Sequence, residues 1–333
     1  MTFKIAIIGC GARGVAHARD WQSVPNTKIL AVSDTDQERA QALGNELDAQ
    51  VYTDWQAAIQ HGGIHIVSQC VPSFLHADVT SFAAKQEKHV FGEKPLALTL
   101  EQGQQIVDVV AETGVVFMPC FQYRDRWYYQ QYREAYVEGK LGSPVTFRFS
   151  MMMEVRPKVA MHKKSMNGGP MIDMACHLVD LLRWITEEEP ETVFAAGQVF
   201  GQGKPHLSGV DDLAIDEASV IVTFSGGHKL DLYLNWGMPT GFTGVMSNQL
   251  IGPDALLQIN RTGVTWQDHQ STETRTPPEN YQEPGMTIRM QKFVKSIQTG
   301  QPADITSENG LAALRVSWAA LQSIESGRVV QLN

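Results

Sequence analysis

The 333-residue sequence is 43% hydrophobic and 19% charged, a balance that supplies buried cores and, at this length, predicts two domains rather than one. Its formal net charge of −9 argues against a general nucleic-acid binder, because neutralising phosphates needs a surplus of Lys and Arg. No apolar run approaches the roughly 20 residues that span a bilayer, no secretory pattern opens the chain, and Cys10, Cys70, Cys120 and Cys176 form neither a CxxC pair nor a disulfide framework; a cytoplasmic protein without a metal centre is expected.

Taken in chain order, residues 1–121 alternate short apolar strands with amphipathic helices. Residues 3–9 form a nearly continuous apolar run, as expected of a parallel strand buried on both faces. Residues 28–33, 64–69, 89–91 and 115–119 supply further strands, and helices are predicted over 37–47, 54–60, 76–85 and 100–113. This alternation predicts an α/β Rossmann domain with a parallel, doubly wound sheet. From 122 to 333 the texture changes. Helices are predicted over 127–138 and 171–185, strands over 144–153, 192–200, 214–224, 229–236 and 244–251, and two closing helices over 287–299 and 307–326. Gly226-Gly227 reads as a hairpin turn, and 272–284, rich in Pro and Thr, as a surface loop. The second domain is therefore predicted to be α+β, with a large, mostly antiparallel open sheet.

Gly9-Cys10-Gly11-Ala12-Arg13-Gly14 fits G-x-G-x-x-G directly after an apolar strand and at the opening of a helix. The first glycine permits the tight turn, the second lets backbone amides approach a pyrophosphate, and the third lets helix and strand pack closely. The helix N-terminus favours the anion, so Gly9, Gly11, Ala12, Arg13 and Gly14 are expected to line a dinucleotide. Asp34, about 20 residues on, ends the second strand, where a carboxylate accepts from the adenosine ribose and repels a 2′-phosphate. Thr35 and Asp36 follow it, with no adjacent cation, which favours NAD over NADP.

Two further segments carry chemistry. Lys94, in Gly92-Glu93-Lys94-Pro95, falls at the carboxyl edge of the predicted sheet, where ligands of open α/β sheets bind. An ammonium there can stabilise an alcohol oxygen as it becomes alkoxide-like. In Gly168-Gly169-Pro170-Met171-Ile172-Asp173-Met174-Ala175-Cys176-His177, a helix begun by Pro170 would put Asp173 and His177 one turn apart on one face. The carboxylate can then tune the imidazole, which has the intrinsic pKa to take a hydroxyl proton.

Together these segments resemble the glucose–fructose oxidoreductase/inositol dehydrogenase (Gfo/Idh/MocA) family, over nearly the whole chain. The resemblance also draws on Pro72 with His76, on Gln122-Tyr123-Arg124, on Phe293, and on Asn309-Gly310 opening the last helix. It implies Lys94, Asp173 and His177 as the catalytic set, with His177 as general base, and a Lys94-Pro95 peptide in the cis form, aiming the lysine into the cleft. Cys70, Val71 and Pro72 would flank the nicotinamide or its ribose, and His76, Glu93 and Lys94 join the expected cofactor contacts. A homodimer or homotetramer through the C-terminal sheet is implied as well.

For the substrate, Tyr123 and Arg124 are expected near the site, and Arg156, Lys158, His162, Lys163, Lys164 and Asn167 approach the predicted catalytic helix. The latter group reads either as recognition of an anionic sugar or, preferred, as a solvated mobile loop. Met151-Met152-Met153 reads as strand core. The function expected is oxidation of a secondary hydroxyl of a sugar, polyol or sugar acid, or reduction of the matching ketone. An NAD-dependent glycosidase-type enzyme that keeps its cofactor, and a non-catalytic NAD-binding regulator, stay open as alternatives.

Overall fold

The structure, a computed structural model, describes residues 2–332. The chain packs as two compact units, one of residues up to Gln122 together with Pro284–Leu311, the other of Tyr123–Glu283 together with residues from Ala312 on.

The first unit is built on β1 (Phe3–Ile8), β2 (Thr27–Ser33), β3 (Gln50–Tyr52), β4 (Ile66–Gln69), β5 (His89–Gly92) and β6 (Phe117–Pro119). They pair in parallel in the order β3-β2-β1-β4-β5-β6. The order reverses between β1 and β4, and ligands of such sheets bind outside the strand ends at that point. α1 (Ala12–Gln22), α2 (Gln37–Leu47), α3 (Trp55–Ile59), α4 (His76–Lys85) and α5 (Leu100–Thr113) connect the strands. α1 buries Gly14, His17, Ala18 and Trp21, the i, i+3, i+4, i+7 stripe of a helix lying on a sheet. α5 begins with a capping box between Thr99 and Gln102. β3 has no counterpart among the predicted strands, because its three residues are half-exposed or exposed and make no apolar run.

The second unit continues with α6 (Trp127–Val137), β7 (Thr146–Glu154), α7 (Gly169–Asp173), α8 (Ala175–Thr186), β8 (Pro190–Gln198), β9 (Glu217–Phe224), β10 (Lys229–Met238), β11 (Val245–Ile251), β12 (Leu256–Ile259), β13 (Val264–Gln267) and β14 (Thr272–Arg275). α9 (Thr287–Thr299) belongs to the first unit; α10 (Ser307–Ser326) and β15 (Val330–Gln331) close the chain. The nine strands pair in the order β14-β13-β12-β11-β7-β10-β9-β8-β15, antiparallel except for β7 with β10. Alternation sorts the faces. Phe147, Phe149, Val193, Ala195, Val220, Val222, Leu230 and Leu232 are buried, whereas Phe194 and Ile221, cross-strand partners, are exposed. The β9–β10 hairpin turns at Gly226-Gly227 as predicted.

Three expectations are corrected here. Residues 272–275 form an edge strand, not loop; all four are exposed, so no burial pattern marked them. The helix predicted over 171–185 is two helices, with Met174 (φ −107°, ψ −42°) as a turn between them and the second starting at Ala175. Met151–Met153 lie in β7 but are half-buried, not core. Among the described residues, no helix is long and apolar enough to cross a membrane.

Candidate active site

At the carboxyl ends of β1, β4 and β5 the first unit gathers the glycine loop, Cys70 and the Glu93-Lys94 pair. Gly9 has φ +98°, and a Cβ on it would lie 2.6 Å from the Cys70 carbonyl oxygen. A Cβ on Gly14 would lie 1.8 Å from the Gly9 carbonyl oxygen, which is the close helix–strand approach that only glycine permits. Gly11 differs: nothing lies within 4 Å of the place its Cβ would take. It is the N-cap of α1, and no side chain caps that helix end. An open, uncapped helix N-terminus at the switch point fits a dinucleotide pyrophosphate.

Asp34 closes this loop from β2. One carboxylate oxygen accepts the Cys10 N–H at 2.8 Å, and the other accepts the Asp36 N–H at 2.9 Å. Arg39 reaches Asp34 at 3.1 Å and Asp36 at 3.2 Å, a cation that inspection of the adjacent residues alone missed. Burial, then the Asp34 charge, pushes the Cys10 thiol up to about 12, so it stays protonated and unreactive near neutral pH.

Around Glu93, next to Lys94, lies a charge network that is buried except at Arg13. His17 Nδ1 meets Ser68 Oγ at 2.9 Å, and its Nε2 meets Glu93 Oε1 at 3.1 Å. Arg13 Nε reaches the same carboxylate oxygen at 3.2 Å, and Trp21 Nε1 donates to Ser68 Oγ at 2.9 Å. Burial works against the imidazolium, but Cys70 and Glu93 outweigh it and hold the His17 pKa up at about 10. Burial likewise works against the Glu93 carboxylate; the His17 hydrogen bond and charge, with Arg13 and Lys94, hold it down at about 2. With Lys94 half-buried above, three cations face one carboxylate, a surplus suited to an oxygen gaining negative charge. His17, Glu93 and Cys120 also bring potential ligand atoms within 4.8 Å of one another, but the carboxylate is already shared by His17 and Arg13, so the cluster reads as an ion-pair network.

This network has a pH signature. A raised His17 pKa gives stability that is complete below the unfolded value near 6.5 and lost as pH rises through about 10; the depressed Glu93 pKa gives stability complete above about 4.5 and lost as pH falls through about 2. Between pH 6.5 and 10 the wild type is therefore expected to lose more stability than His17→Gln, read as a steeper fall of Tm with rising pH. Parallel Tm–pH curves for the two proteins would contradict this.

His76 is 2% exposed, with Nδ1 2.8 Å from the Pro95 carbonyl and Nε2 3.0 Å from the Val71 carbonyl. It braces the 70–72 loop against the Lys94-Pro95 loop, in place of the cofactor contact expected of it; burial lowers its pKa despite the two carbonyls. Glu93, 5% exposed, is likewise turned onto His17 and Arg13. The Lys94-Pro95 peptide is cis. Val71 and Cys70 are half-buried and Pro72 is exposed.

In the second unit, Asp173 ends α7 and His177 lies in the first turn of α8, so the two are not on one continuous helix. Gly168 and Gly169, with φ +74° and +70°, turn the chain into α7 just before Pro170. His177 is 3% exposed, and its ring stacks on Tyr123 with centroids 4.5 Å apart at 11°. Arg124 is corrected as a substrate contact. Its guanidinium makes a two-pronged pair with Asp180, at 2.8 and 2.5 Å, and both residues are buried. A buried charge needs its partner, and a lone buried acid on apolar α8 was the signal that Asp180 fills that role.

The 156–167 segment is tied down rather than freely solvated, although Lys158 and Lys164 are exposed. His162 is 1% exposed and accepts the Arg156 N–H at 2.9 Å. The Arg156 guanidinium lies 5.5 Å from the Trp236 ring centroid. The segment is tied to residues 212–214 by Lys164 N–H on Asp212 O (2.8 Å) and Ala214 N–H on His162 O (2.7 Å). Asn167 is half-buried, its N–H on the Lys163 carbonyl at 3.1 Å.

Residues 3–121 match the model of an oxidoreductase family with an NAD-binding Rossmann fold, GFO/IDH/MocA, and residues 129–253 match that family's C-terminal domain. Two relatives are a myo-inositol 2-dehydrogenase of Thermotoga maritima, 26% identical over 99% of this chain and 98% of its own, and an NAD(+)-dependent scyllo-inositol 2-dehydrogenase of Bacillus subtilis, 26% identical over 99% and 96%. A scyllo-inositol dehydrogenase of Lactobacillus casei, solved with NAD(H) and scyllo-inositol, shares the fold at TM-score 0.81 and 24% identity, covering 99% of both chains.

Proposed function

We propose, from the premise that the chain belongs to the GFO/IDH/MocA family of NAD-binding oxidoreductases, that it is an NAD-dependent dehydrogenase oxidising a secondary hydroxyl of a polyol, sugar or sugar acid, or reducing the matching ketone. The observation that carries this reading is the glycine loop at the β1/β4 switch point, open at Gly11 and closed by Asp34, in a chain whose relatives along nearly their full lengths include inositol dehydrogenases.

The backbone of Gly11, Ala12, Arg13 and Gly14 would hold the pyrophosphate, Asp34 the adenosine ribose, and Cys70, Val71 and Pro72 the nicotinamide end. NAD, when bound, would supply the hydride acceptor for the carbinol carbon. Lys94 donates a hydrogen bond to the reacting hydroxyl oxygen and stabilises the charge growing there. An imidazole nitrogen of His177 takes the hydroxyl proton, with Asp173 favouring the resulting imidazolium. Asn167 is assigned to a substrate hydroxyl. Ion pairing of Glu93 with His17 and Arg13 fixes the loop that carries Lys94 without contacting substrate. Self-association through the open sheet face, which exposes Phe194 and Ile221 side by side, and a cytoplasmic site of action belong to the same proposal.

A panel of inositols, aldoses and sugar acids with NAD or NADP, followed by absorbance of the reduced cofactor, tests this reading. Reduction of NAD by at least one class is expected. Tight NAD binding with no turnover across the panel would refute it, and preference for NADP would overturn the role given to Asp34.

A further inference from the structure

We infer that Tyr123 is a positioning residue for the proposed reaction: its ring, stacked on the imidazole of His177, fixes the plane in which that imidazole takes a proton. This inference rests on the assignment of His177 as general base. The two rings are nearly parallel, at 11°, with centroids 4.5 Å apart, within the stacking range of aromatic pairs. Tyr123 is itself held. Its ring stacks on Tyr129 at 5.3 Å and 20°, and the Arg126 guanidinium carbon lies 4.4 Å from its centroid. The Tyr129 hydroxyl accepts from Asn248 Nδ2 at 2.7 Å, and Arg126 pairs with Glu283 at 3.0 Å.

The segment is anchored to α8 a second time, one turn beyond His177. Arg124 grips Asp180 through Nε at 2.8 Å and Nη2 at 2.5 Å, and positions i and i+3 share a helix face. Residues 123 and 124 thus meet α8 at two points, a flat ring on the imidazole and a two-pronged ion pair beside it. Rotation about the terminal torsion of histidine is broad and weakly restrained by its own bonds, whereas proton transfer demands a nitrogen within about 2.6–3.2 Å of the hydroxyl oxygen. A stacked neighbour removes the rotation. The benefit belongs to the chemical step, since misplacing a reacting group by about 1 Å costs on the order of 100-fold in rate.

The test uses the full chain loaded with NAD and a substrate found by the panel above. Tyr123→Leu, which keeps apolar bulk but removes the flat face, is expected to lower the single-turnover rate of cofactor reduction about 10- to 100-fold, with KM changed less than about threefold. Tyr123→Phe, which keeps the ring, is expected to recover most of that loss. The imidazole C–H proton signals of His177, assigned by their disappearance in His177→Asn, are expected to be shifted upfield by the Tyr123 ring current in the wild type and in Tyr123→Phe, and to lose that shift in Tyr123→Leu. A rise in KM at unchanged single-turnover rate would make Tyr123 a substrate contact and overturn the inference, as would a wild-type rate in Tyr123→Leu. If His177→Asn itself turned over normally, the underlying assignment would fall and this inference with it; an inactive His177→Asn beside a fully active Tyr123→Leu would sink the positioning role alone.

Discussion

Replacing Lys94 with alanine is expected to slow cofactor reduction by on the order of 10³- to 10⁴-fold while leaving NAD affinity within about threefold of wild type. The size follows from what the ammonium is asked to do. Removing a preorganised donor from a developing oxyanion costs about 10²- to 10³-fold, and general acid–base help from a positioned group is worth about 10²- to 10⁴-fold. The cofactor is spared because the pyrophosphate is assigned to the α1 N-terminus and the adenosine ribose to Asp34, neither of which touches Lys94. The buried network makes the effect specific to this position. Glu93 is already paired with His17 and Arg13, so losing the lysine leaves no buried carboxylate without a partner. Fold stability should therefore change little, and single-turnover absorbance with titrated NAD binding separates the two effects. Wild-type turnover in Lys94→Ala would remove the lysine from the mechanism.

Gly14→Ala is expected to abolish measurable NAD binding and lower stability, whereas Gly11→Ala should weaken NAD binding with the fold intact. The contrast is geometric. A Cβ on Gly14 would lie 1.8 Å from the Gly9 carbonyl oxygen and 2.9 Å from its carbon, both backbone atoms that cannot rotate away. Helix α1 must then back off the sheet, at a cost of about 1–3 kcal/mol or more, and its N-terminus is carried away from the switch point. Gly11 has φ −70° and meets nothing within 4 Å, so its new methyl group strains no backbone but projects into the space assigned to the pyrophosphate. Calorimetric melting and NAD titration on the two variants check this. Equal losses of stability in both, or intact NAD binding in Gly14→Ala, would contradict it.

Much of the first unit was legible because its signals are strong and local. Residues 3–9 are apolar but for Lys4, close to what a strand buried on both faces requires, and helices 37–47, 76–85 and 100–113 fall at their predicted bounds. Elements without a burial pattern escaped: β3 at a sheet edge, and β12 to β15, whose strands have two to four residues each. The break at Met174 left no trace either, since Gly-Gly-Pro announced where a helix starts but nothing in 171–185 announced an interruption.

For the candidate site, motif residues at the carboxyl ends of β1 and β5 could be placed from spacing alone, while their partners could not. His17 is a polar residue on the buried stripe of α1, three residues after Gly14, and that misfit was a readable sign of a partner; the partner, Glu93, is 76 residues away and only the fold joins them. Arg124 was given to substrate for the same reason. Its engagement by Asp180, 56 residues on, depends on packing that sequence spacing does not encode. His76 shows the opposite error, in which a motif histidine was given to the ligand when both its nitrogens brace backbone loops.

The most direct measurement uses the substrate identified by the panel, deuterated at its carbinol carbon, and follows the fate of the label by NMR. Deuterium appearing at C4 of the reduced nicotinamide, in step with one ketone formed per NADH and absent in His177→Asn and Lys94→Ala, is the predicted result. Label retained in the product, or exchanged into water without accumulation of NADH, would contradict a net dehydrogenase.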